Sequence, residues 1–293
     1  MPFKVAHRLP PAPRGMRIDS MLNRTTPSFD GVAIAYSLSG TAETALIFIH
    51  GGMSDRTFWD AQHAAFADRF RVIALDLAGH GESGQNRREW GIPQFGRDAI
   101  AVMDAEDVSH AVLIGNSLGG PAAIEAALFA PARTLAVIGV DTFQSFQTPS
   151  VEYVENTAAA WRRDYAGSMD QMLRMLLYDD TDPALYEDIR RRMSRTPVEV
   201  CCAMFRSFGG YDFAGAAAKS PVPIRSVNGD KLPLNLEEIR RVVPDFDALV
   251  LPHTGHYPML ECPEEFNRKL GEVLDRLGIM PFAAASTADS YGE

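Results

Sequence analysis

The sequence predicts an α/β protein built on a doubly wound, mostly parallel sheet. Seven short apolar runs recur along its 293 residues, and most are continuously apolar, as strands buried on both faces of a parallel sheet must be. Segments with helical periodicity lie between them, and this alternation is typical of a doubly wound sheet. The predicted strands are 32–40, 45–50, 71–76, 111–115, 135–141, 223–229 and 248–252.

Five helices are predicted in the connections between these strands. Each connection carries apolar residues at helical spacing, and the one at 236–243 also has Asn235 before it as a cap and Pro244 after it as a stop. The predicted helices are 57–69, 94–105, 118–130, 236–243 and 263–277.

The segment 148–215 interrupts the alternation, because it contains helical patterns and no strand. Apolar residues from Met169 to Leu177 fall at i, i+3, i+4, i+7 and i+8, which gives one apolar helix face. Open α/β sheets bind ligands beyond the carboxyl ends of their strands, where this insertion would lie. We therefore expect a lid over a pocket, with Thr196 and Glu199 forming a capping box at one helix start.

The two ends of the chain are expected to lie outside the core, which we place at 31–147 and 216–279. Residues 1–30 contain five prolines and no apolar stretch, so they predict an extended N-terminal arm rather than a secretory signal. Residues 280–293 are small and polar, which predicts a loose C-terminal tail.

Composition excludes several classes of function. The chain has 28 Lys+Arg against 38 Asp+Glu, a net charge of −10, and this balance argues against a nucleic-acid partner. It has no apolar run of about 18 residues, so no membrane span is predicted. Three cysteines are too few for a disulfide framework, which favours a reducing, cytoplasmic location. We expect a monomer or homodimer that acts on a small-molecule substrate without a cofactor or metal.

Ser117 is the candidate nucleophile. It lies in Gly115-Asn116-Ser117-Leu118-Gly119, between the strand at 111–115 and the helix at 118–130. The pattern G-x-S-x-G is weak alone, but a sharp strand-to-helix turn needs glycines two residues to either side of the serine. Such a turn, a nucleophile elbow, projects the hydroxyl above the edge of the sheet.

Backbone amides near Ser117 are candidates for an oxyanion hole. The Leu118 N–H lies at the start of the following helix, where free amides accumulate. The loop His50-Gly51-Gly52 ends an earlier strand and can offer a second N–H, from Gly52 or alternatively from Met53. We expect His50 itself to hold this loop rather than to act on substrate.

A serine needs a general base, and His256 is our choice among seven histidines. It follows the last predicted strand, and Gly255 lets its loop turn sharply toward the sheet. His253 and His256 could be interpreted as a metal pair, but no further ligand has suitable spacing. The base in turn needs an acid to orient it, and two strand-terminal residues, Asp141 and Asp230, are candidates.

The segment Gly79-His80-Gly81-Glu82-Ser83-Gly84 matches the dinucleotide-binding pattern G-x-G-x-x-G. That site requires the glycines to open a helix directly. Here a polar stretch interrupted by Pro93 follows, so we predict a surface loop instead.

Taken together, these motifs resemble those of an α/β-hydrolase of the large family of lidded serine esterases. The matching segments are HGG at 50–52, DLAGHGESG at 76–84, GNSLGG at 115–120 and TGHYPMLECPEEF at 254–266. The resemblance extends from about residue 30 to residue 278 and implies the α/β-hydrolase fold, with a helical lid after its sixth strand.

The resemblance implies roles for the residues that match the motifs. Ser117 matches the nucleophile, Leu118 and Gly52 the oxyanion amides, and His256 the base. Many relatives carry the acid in a G-x-x-D motif after the penultimate strand, where this chain has Leu232 instead. Some relatives carry it one strand earlier, at the place of Asp141, so we favour Asp141, with Asp230 in reserve and Asp104 as a minor candidate.

The expected activity is hydrolysis of a carboxylic ester through an acyl-enzyme on Ser117. Carbon–carbon bond hydrolysis, thioester hydrolysis and lactone hydrolysis use the same triad and remain alternatives, as does a non-catalytic ligand-binding relative. Substrate contacts from the lid are expected from Trp161, Met169, Met172 and Tyr178.

Overall fold

Eight strands form a single sheet in the computed structural model, which describes residues 21–280. The strands are β1 Leu22–Pro27, β2 Ala33–Ser39, β3 Thr44–Ile49, β4 Arg71–Leu75, β5 His110–Asn116, β6 Thr134–Val140, β7 Ile224–Gly229 and β8 Asp247–Leu251. Their order across the sheet is β1-β2-β4-β3-β5-β6-β7-β8. Every pair from β4 to β8 in this order is parallel, and β1 and β2 join by antiparallel pairing. The mostly parallel sheet predicted from the sequence is confirmed.

Helices cover both faces of this sheet and fill the longest connection. They are α1 Asp60–Phe66, α2 Ile92–Ala105, α3 Gly119–Phe129, α4 Val151–Arg163, α5 Tyr165–Leu176, α6 Pro183–Met193, α7 Val198–Phe208, α8 Phe213–Ala218, α9 Leu236–Val242, α10 Pro258–Glu261 and α11 Pro263–Arg276. Helices α2, α3, α8 and α9 contribute to the core on one face, and α1 and α11 to the core on the other.

The central position of β3 in the sheet explains why its residues 45–49 are all apolar. All six of its residues are buried. Ala45, Ile47 and Ile49 pack into the core that contains α2 and α3, whereas Leu46 and Phe48 pack into the core that contains α1 and α11. A strand between two layers of helices has no face toward water, so alternation of polar and apolar residues is lost.

Two predicted domain boundaries are wrong. Within the predicted arm, Leu22–Pro27 forms β1, which pairs with β2 and extends the sheet. Short polar strands at a sheet edge carry little apolar signal, because only the backbone needs a partner. The predicted lid end at 215 falls inside α8, whose Ala216 and Ala217 pack into the core. Residues 1–20 of the predicted arm and 281–293 of the predicted tail lie outside the described residues.

Helices α4 to α8 occupy the connection between β6 and β7, where the sequence predicts a helical insertion. The capping box predicted at α7 is not formed. Pro197 caps this helix without a side-chain hydrogen bond, and the Thr196 hydroxyl instead donates to the Met53 carbonyl at 3.3 Å. This contact joins the insertion to the loop that follows β3.

Neither a disulfide nor a membrane span contributes to the fold of residues 21–280. Cys201, Cys202 and Cys262 are free thiols, and burial raises the pKa of Cys201 to about 12, so this thiol stays protonated at neutral pH. Over the same residues, no helix has the length and apolar character needed to cross a bilayer.

The chain reverses its direction of travel across the sheet at β3. From β3 it moves to β4 on one side, and it then crosses to β5 on the other side. The crevice beyond the carboxyl ends of two such strands is where open α/β sheets bind ligands. Both the loop at His50 and the turn at Ser117 leave the sheet at this point.

The turn after β5 requires glycine because it lies directly on the end of β3. A Cβ atom on Gly119 would lie 2.2 Å from the carbonyl oxygen of Ile49 and 2.9 Å from that of His50, and both are backbone atoms. By contrast, a Cβ atom on Gly271, within α11, would meet nothing within 4 Å.

These two glycines give a stability prediction. Gly119→Ala should lower the free energy of unfolding by about 3 kcal/mol, because the start of α3 would have to move away from the end of β3. Gly271→Ala should raise it by about 0.5–1 kcal/mol, because alanine is the better helix former. Urea denaturation of both variants measures the difference, and equal effects would contradict the close approach of β3 and the turn.

Candidate active site

Ser117 lies at the turn between β5 and α3 with a backbone φ of +50°. Few residues other than glycine adopt this conformation, and it costs free energy that the surrounding structure must offset. The Gly120 N–H donates to the Ser117 carbonyl at 2.9 Å, and the Ser117 N–H donates to the Val140 carbonyl at 3.4 Å. On the strand side, a Cβ atom on Gly115 would lie 2.0 Å from the Gly119 carbonyl oxygen. The predicted strand, turn and helix are all present, and the serine is half-buried.

His256 and Asp141 form a buried pair. Nδ1 of His256 lies 2.5 Å from Oδ2 of Asp141, and the side chains are 8% and 1% exposed. Asp141 follows β6 with a φ of +42°, and its second oxygen accepts the N–H of Gly229 at 3.0 Å. With Nδ1 occupied by the carboxylate, Nε2 is the nitrogen left to take a proton.

Contacts from three different elements hold the backbone around His256. The His256 N–H donates to the Leu176 carbonyl at the end of α5 at 3.0 Å. Its carbonyl accepts from Nδ2 of Asn116, the residue before the serine, at 3.0 Å. The Glu261 carboxylate accepts the N–H groups on either side of the histidine, from Gly255 at 2.8 Å and Tyr257 at 2.9 Å. The N–H groups of Gly255, His256 and Tyr257 and the His256 carbonyl are therefore all hydrogen-bonded.

The two loops predicted to form an oxyanion hole face the same cavity as Ser117. Gly52, Met53 and Leu118 all line it. Leu118 precedes α3 and contributes one of the N–H groups that a helix start leaves without an intrahelical acceptor. A Cβ atom on Gly52 would lie 2.2 Å from the sulfur of Met204, so a larger residue at this position would displace the Met204 side chain of α7.

His50 holds the loop after β3, as predicted. Its Nε2 accepts the Leu77 N–H at 3.0 Å, so Nδ1 is the nitrogen that donates to the Gly51 carbonyl, at 2.6 Å. Burial lowers the pKa of His50 to about 4, which keeps the ring neutral at pH 7. The side chain is thus occupied on both nitrogens.

The other two acid candidates lie away from His256. Oδ1 of Asp230 accepts from the Thr254 N–H at 3.1 Å and from the Tyr178 hydroxyl at 2.9 Å. Burial disfavours its charge, but these hydrogen bonds outweigh burial and lower the pKa of Asp230. Asp104 pairs with Arg133 at 2.5 Å on the surface. Asp230 therefore braces the histidine loop, whereas Asp141 contacts the imidazole.

His253 does not join His256 in a metal site. Its Nε2 lies 3.0 Å from Oδ2 of Asp180, and its ring centroid lies 4.4 Å from that of Tyr178. Across residues 21–280 there is no group of three or more His, Cys, Asp or Glu side chains that could hold a metal ion.

The glycine-rich segment 79–84 forms a loop around Asp76. That carboxylate accepts the Arg56 N–H at 2.6 Å and the Glu82 N–H at 2.9 Å. Gly81 has a φ of +51°, and a Cβ atom there would lie 2.3 Å from the carboxyl group. The next helix begins only at Ile92, so the rejection of a dinucleotide site agrees with the structure. Gly81 and Glu82 are exposed, but Gly79, His80 and Ser83 are buried, so only part of the loop lies on the surface.

A cavity of about 480 Å³ lies between the strand ends and the inserted helices. Ser117 and His256 both line it, together with residues from one face each of α4, α5 and α7. Those helix residues are Tyr153, Val154, Thr157, Ala160 and Trp161 from α4, Ser168, Gln171, Met172, Met175 and Leu176 from α5, and Met204, Phe205 and Phe208 from α7.

Two of the four predicted lid contacts reach this cavity and two do not. Trp161 and Met172 line it. Met169 is 2% exposed and packs into the core beneath α5. Tyr178 faces a separate groove beside α6 and contacts Asp230. The most apolar stripe of α5 packs against the core, and the less apolar stripe beside it faces the cavity.

Paired charges join α4 to α7 on the side away from the cavity. Arg162 of α4 makes two hydrogen bonds with Glu199 of α7, at 2.9 and 2.5 Å. Arg206 of α7 makes two with Glu155 of α4, at 2.6 and 2.7 Å. The two helices therefore run antiparallel, with charged outer faces and apolar inner faces.

Comparison with known proteins identifies the family. Residues 46–269 match the model of the alpha/beta hydrolase family. The chain belongs to the alpha/beta hydrolase family. This match confirms the resemblance and the fold class predicted from the sequence.

Three curated relatives of this α/β-hydrolase carry different names. It is 26% identical over 256 residues to the dihydrolipoyllysine-residue acetyltransferase component of the acetoin cleaving system of Pseudomonas putida. The match covers 80% of this chain but only 64% of that protein, which is less than two thirds of its length. It is 33% identical over 268 residues to 3-oxoadipate enol-lactonase 2 of Acinetobacter baylyi, covering 86% and 97%. It is 27% identical over 263 residues to a 2-hydroxy-6-oxononadienedioate/2-hydroxy-6-oxononatrienedioate hydrolase of Burkholderia vietnamiensis, covering 83% and 91%.

Among solved structures, this α/β-hydrolase resembles a thermophilic esterase from Thermogutta terrifontis. The TM-score is 0.76 and the sequences are 27% identical, over 88% of this chain and 99% of that chain. An esterase, an enol-lactonase and a 2-hydroxy-6-oxononadienedioate/2-hydroxy-6-oxononatrienedioate hydrolase thus stand among its relatives, and hydrolysis is the chemistry that these three names share.

Sequence reasoning missed three residues that shape the site. Asn116 occupies an unspecified position of G-x-S-x-G, although a buried amide next to the serine signals a fixed hydrogen bond. Glu261 lies within a segment used only for the family resemblance. Met204 gave no signal, because its contact with Gly52 depends on how α7 lies across the sheet.

Glu261 gives a test of how the histidine loop is held. Glu261→Gln should lower the free energy of unfolding by about 1–3 kcal/mol, because the amide keeps one acceptor oxygen and one of the two loop N–H groups loses its partner. Urea denaturation measures this change, and hydrogen exchange at Gly255 and Tyr257 locates it. The control is Glu264→Gln, at an exposed position three residues further along the chain, which should change the free energy of unfolding by no more than about 0.5 kcal/mol. Equal changes in the two variants would contradict the role of Glu261 in holding the histidine loop.

Proposed function

We propose that this α/β-hydrolase cleaves carboxylic esters through an acyl-enzyme on Ser117. The observation that carries the proposal is the position of His256, whose ring contacts Asp141 on one side and lines the cavity that contains Ser117. Asp141 fixes the ring so that Nε2 is the proton acceptor and stabilises the imidazolium that forms.

The proposed reaction has two halves. Nε2 of His256 takes the Ser117 hydroxyl proton as Oγ attacks the ester carbonyl carbon, and the N–H groups of Leu118 and Gly52 hold the resulting oxyanion. The carbon–oxygen bond to the alcohol then breaks, and the leaving oxygen takes the proton from His256. Water repeats the sequence on the acyl-enzyme and releases the acid, which restores Ser117.

Lactone, thioester and carbon–carbon bond hydrolysis remain the alternatives on the same residues. A lactone is a cyclic ester, so its cleavage needs no new group. The names of the enol-lactonase and of the 2-hydroxy-6-oxononadienedioate/2-hydroxy-6-oxononatrienedioate hydrolase among the relatives support including lactone and carbon–carbon bond hydrolysis in a substrate screen. The contact between Asp141 and His256 argues against a purely ligand-binding protein, since binding alone needs no oriented base.

The first prediction concerns the nucleophile. Ser117→Ala should lower kcat/KM for short aryl esters by about 10⁴-fold, because the acyl-enzyme can no longer form. Ser194→Ala, at the exposed end of α6, should leave the rate within about twofold of the unmodified protein. A fluorophosphonate should label the unmodified protein once per chain, at Ser117. Full ester hydrolysis by a folded Ser117→Ala variant would rule out the nucleophile assignment.

A second prediction separates the acids. Asp141→Asn should lower kcat by about 10³–10⁴-fold, because an amide can no longer stabilise the imidazolium or select the tautomer. Asp230→Asn should cost less than about tenfold, because its amide oxygen can still accept from Thr254 and Tyr178. Steady-state kinetics on one aryl ester measures both. A larger loss in Asp230→Asn would make Asp230 the functional acid.

A further inference from the structure

We propose that the substrate portion held under α4, α5 and α7 is uncharged, so that this enzyme selects neutral acyl compounds over carboxylates of the same size. The inference rests on the proposed function, because it concerns what enters the cavity at Ser117. It adds a substrate class that the triad itself cannot specify.

The charge of the cavity wall is the first observation. Across the described residues that line the cavity, no Asp, Glu, Lys or Arg is present. The wall consists of aliphatic, aromatic and thioether side chains, with neutral hydroxyl and amide groups from Thr157, Ser168 and Gln171 on the α4 and α5 side. A buried carboxylate needs a cation or several N–H donors to replace its water, and this wall supplies no cation.

The positions of nearby arginines are the second observation. Arg162 and Arg206 belong to the helices that cover the cavity, but each is held by two hydrogen bonds to a glutamate on the outer face. Arg190 of α6 bonds to Asp170 of α5 at 2.7 Å. Arg174 faces the separate groove beside α6. None of these four arginines therefore lines the cavity.

Asp141 adds a third reason. Its carboxylate is 1% exposed and lies directly behind His256, one of the residues at the cavity floor. A second carboxylate brought into the cavity would be repelled by this buried charge, since Coulomb interactions are weakly screened away from water.

The wall also indicates the shape of the neutral group. Met53, Met172, Met175 and Met204 all line the cavity, and unbranched thioether side chains adapt to irregular apolar chains. A volume of about 480 Å³ lies within the range of small-molecule sites. We infer a medium-length apolar chain, with room for a neutral polar group near Gln171.

Three p-nitrophenyl esters test the proposal. The first is the hexanoate, the second is the mono-ester of adipic acid, which ends in a free carboxylate, and the third is that adipate with its far end methylated. The kcat/KM should be at least about 100-fold lower for the free carboxylate than for the hexanoate. Methylation should restore the rate to within about tenfold of the hexanoate, which shows that charge and not length is rejected. Equal rates for the charged and the methylated adipate would overturn the proposal.

A variant with a cation in the wall supplies the reciprocal test. Gln171 lines the cavity from an exposed position on α5, so a longer side chain is tolerated there. Gln171→Arg should reduce the discrimination against the charged adipate at least tenfold, whereas the matched Gln171→Met should leave it unchanged. An unchanged ratio in Gln171→Arg, with retained hexanoate hydrolysis, would count against the proposal.

Binding without turnover separates this inference from the proposed function. Calorimetry with the Ser117→Ala variant should show the hexanoate and the methylated adipate binding at least about 100-fold more tightly than the charged adipate. If none of the esters is hydrolysed by the unmodified protein, the proposed function fails, and calorimetry still decides the charge preference. If binding is equal for all three, the charge preference fails whatever the hydrolysis rates.

Discussion

Direct contact between backbones at the carboxyl ends of the central strands is the constraint on which the rest of the structure depends. The turn at Gly119 lies on the last carbonyls of β3, and the loop carrying His256 lies on the end of β7, where a Cβ atom on Gly229 would stand 2.2 Å from the Thr254 carbonyl oxygen. Glycine alone allows such approaches. They bring the serine turn, the base and the acid, which come from three separate connections, to one end of a single sheet.

The inserted helices are part of this arrangement rather than an independent cover. Leu176 at the end of α5 accepts the backbone N–H of His256, and Tyr178 just beyond it donates to Asp230, which in turn accepts from Thr254. The same short stretch of the insertion thus ends the cavity wall and holds the histidine loop. The end of α5 therefore supports both His256 and one wall of the cavity. Moving it would break the hydrogen bond from the His256 N–H to the Leu176 carbonyl.

Sequence patterns predicted the sheet and the motif residues because their physical causes are local. A buried parallel strand must be apolar on both faces, and a tight turn needs glycine at fixed offsets from Ser117. The choice between Asp141 and Asp230 could not be made locally, since both end strands and the deciding contact spans 115 residues of sequence. The sequence did not predict β1, because what holds this strand is its backbone pairing with β2. It placed Met169 in the cavity wall instead of the core, because apolar spacing does not show which side of a helix faces the core and which side faces a cavity.

The distribution of charge in the insertion serves stability and selectivity together. Helices α4 and α7 carry their paired arginines and glutamates on exposed outer faces, whereas an unpaired arginine pointing inward would leave a buried cation facing an apolar wall, at a cost of several kcal/mol. Placing Arg162 and Arg206 on the outer faces removes that cost and leaves the inner faces free of charge. Near the wall, the Asp141 carboxylate contacts the imidazole of His256, and among the described residues that line the cavity there is no Lys or Arg to compete for it. A neutral wall therefore leaves this carboxylate to orient the histidine ring without a competing cation.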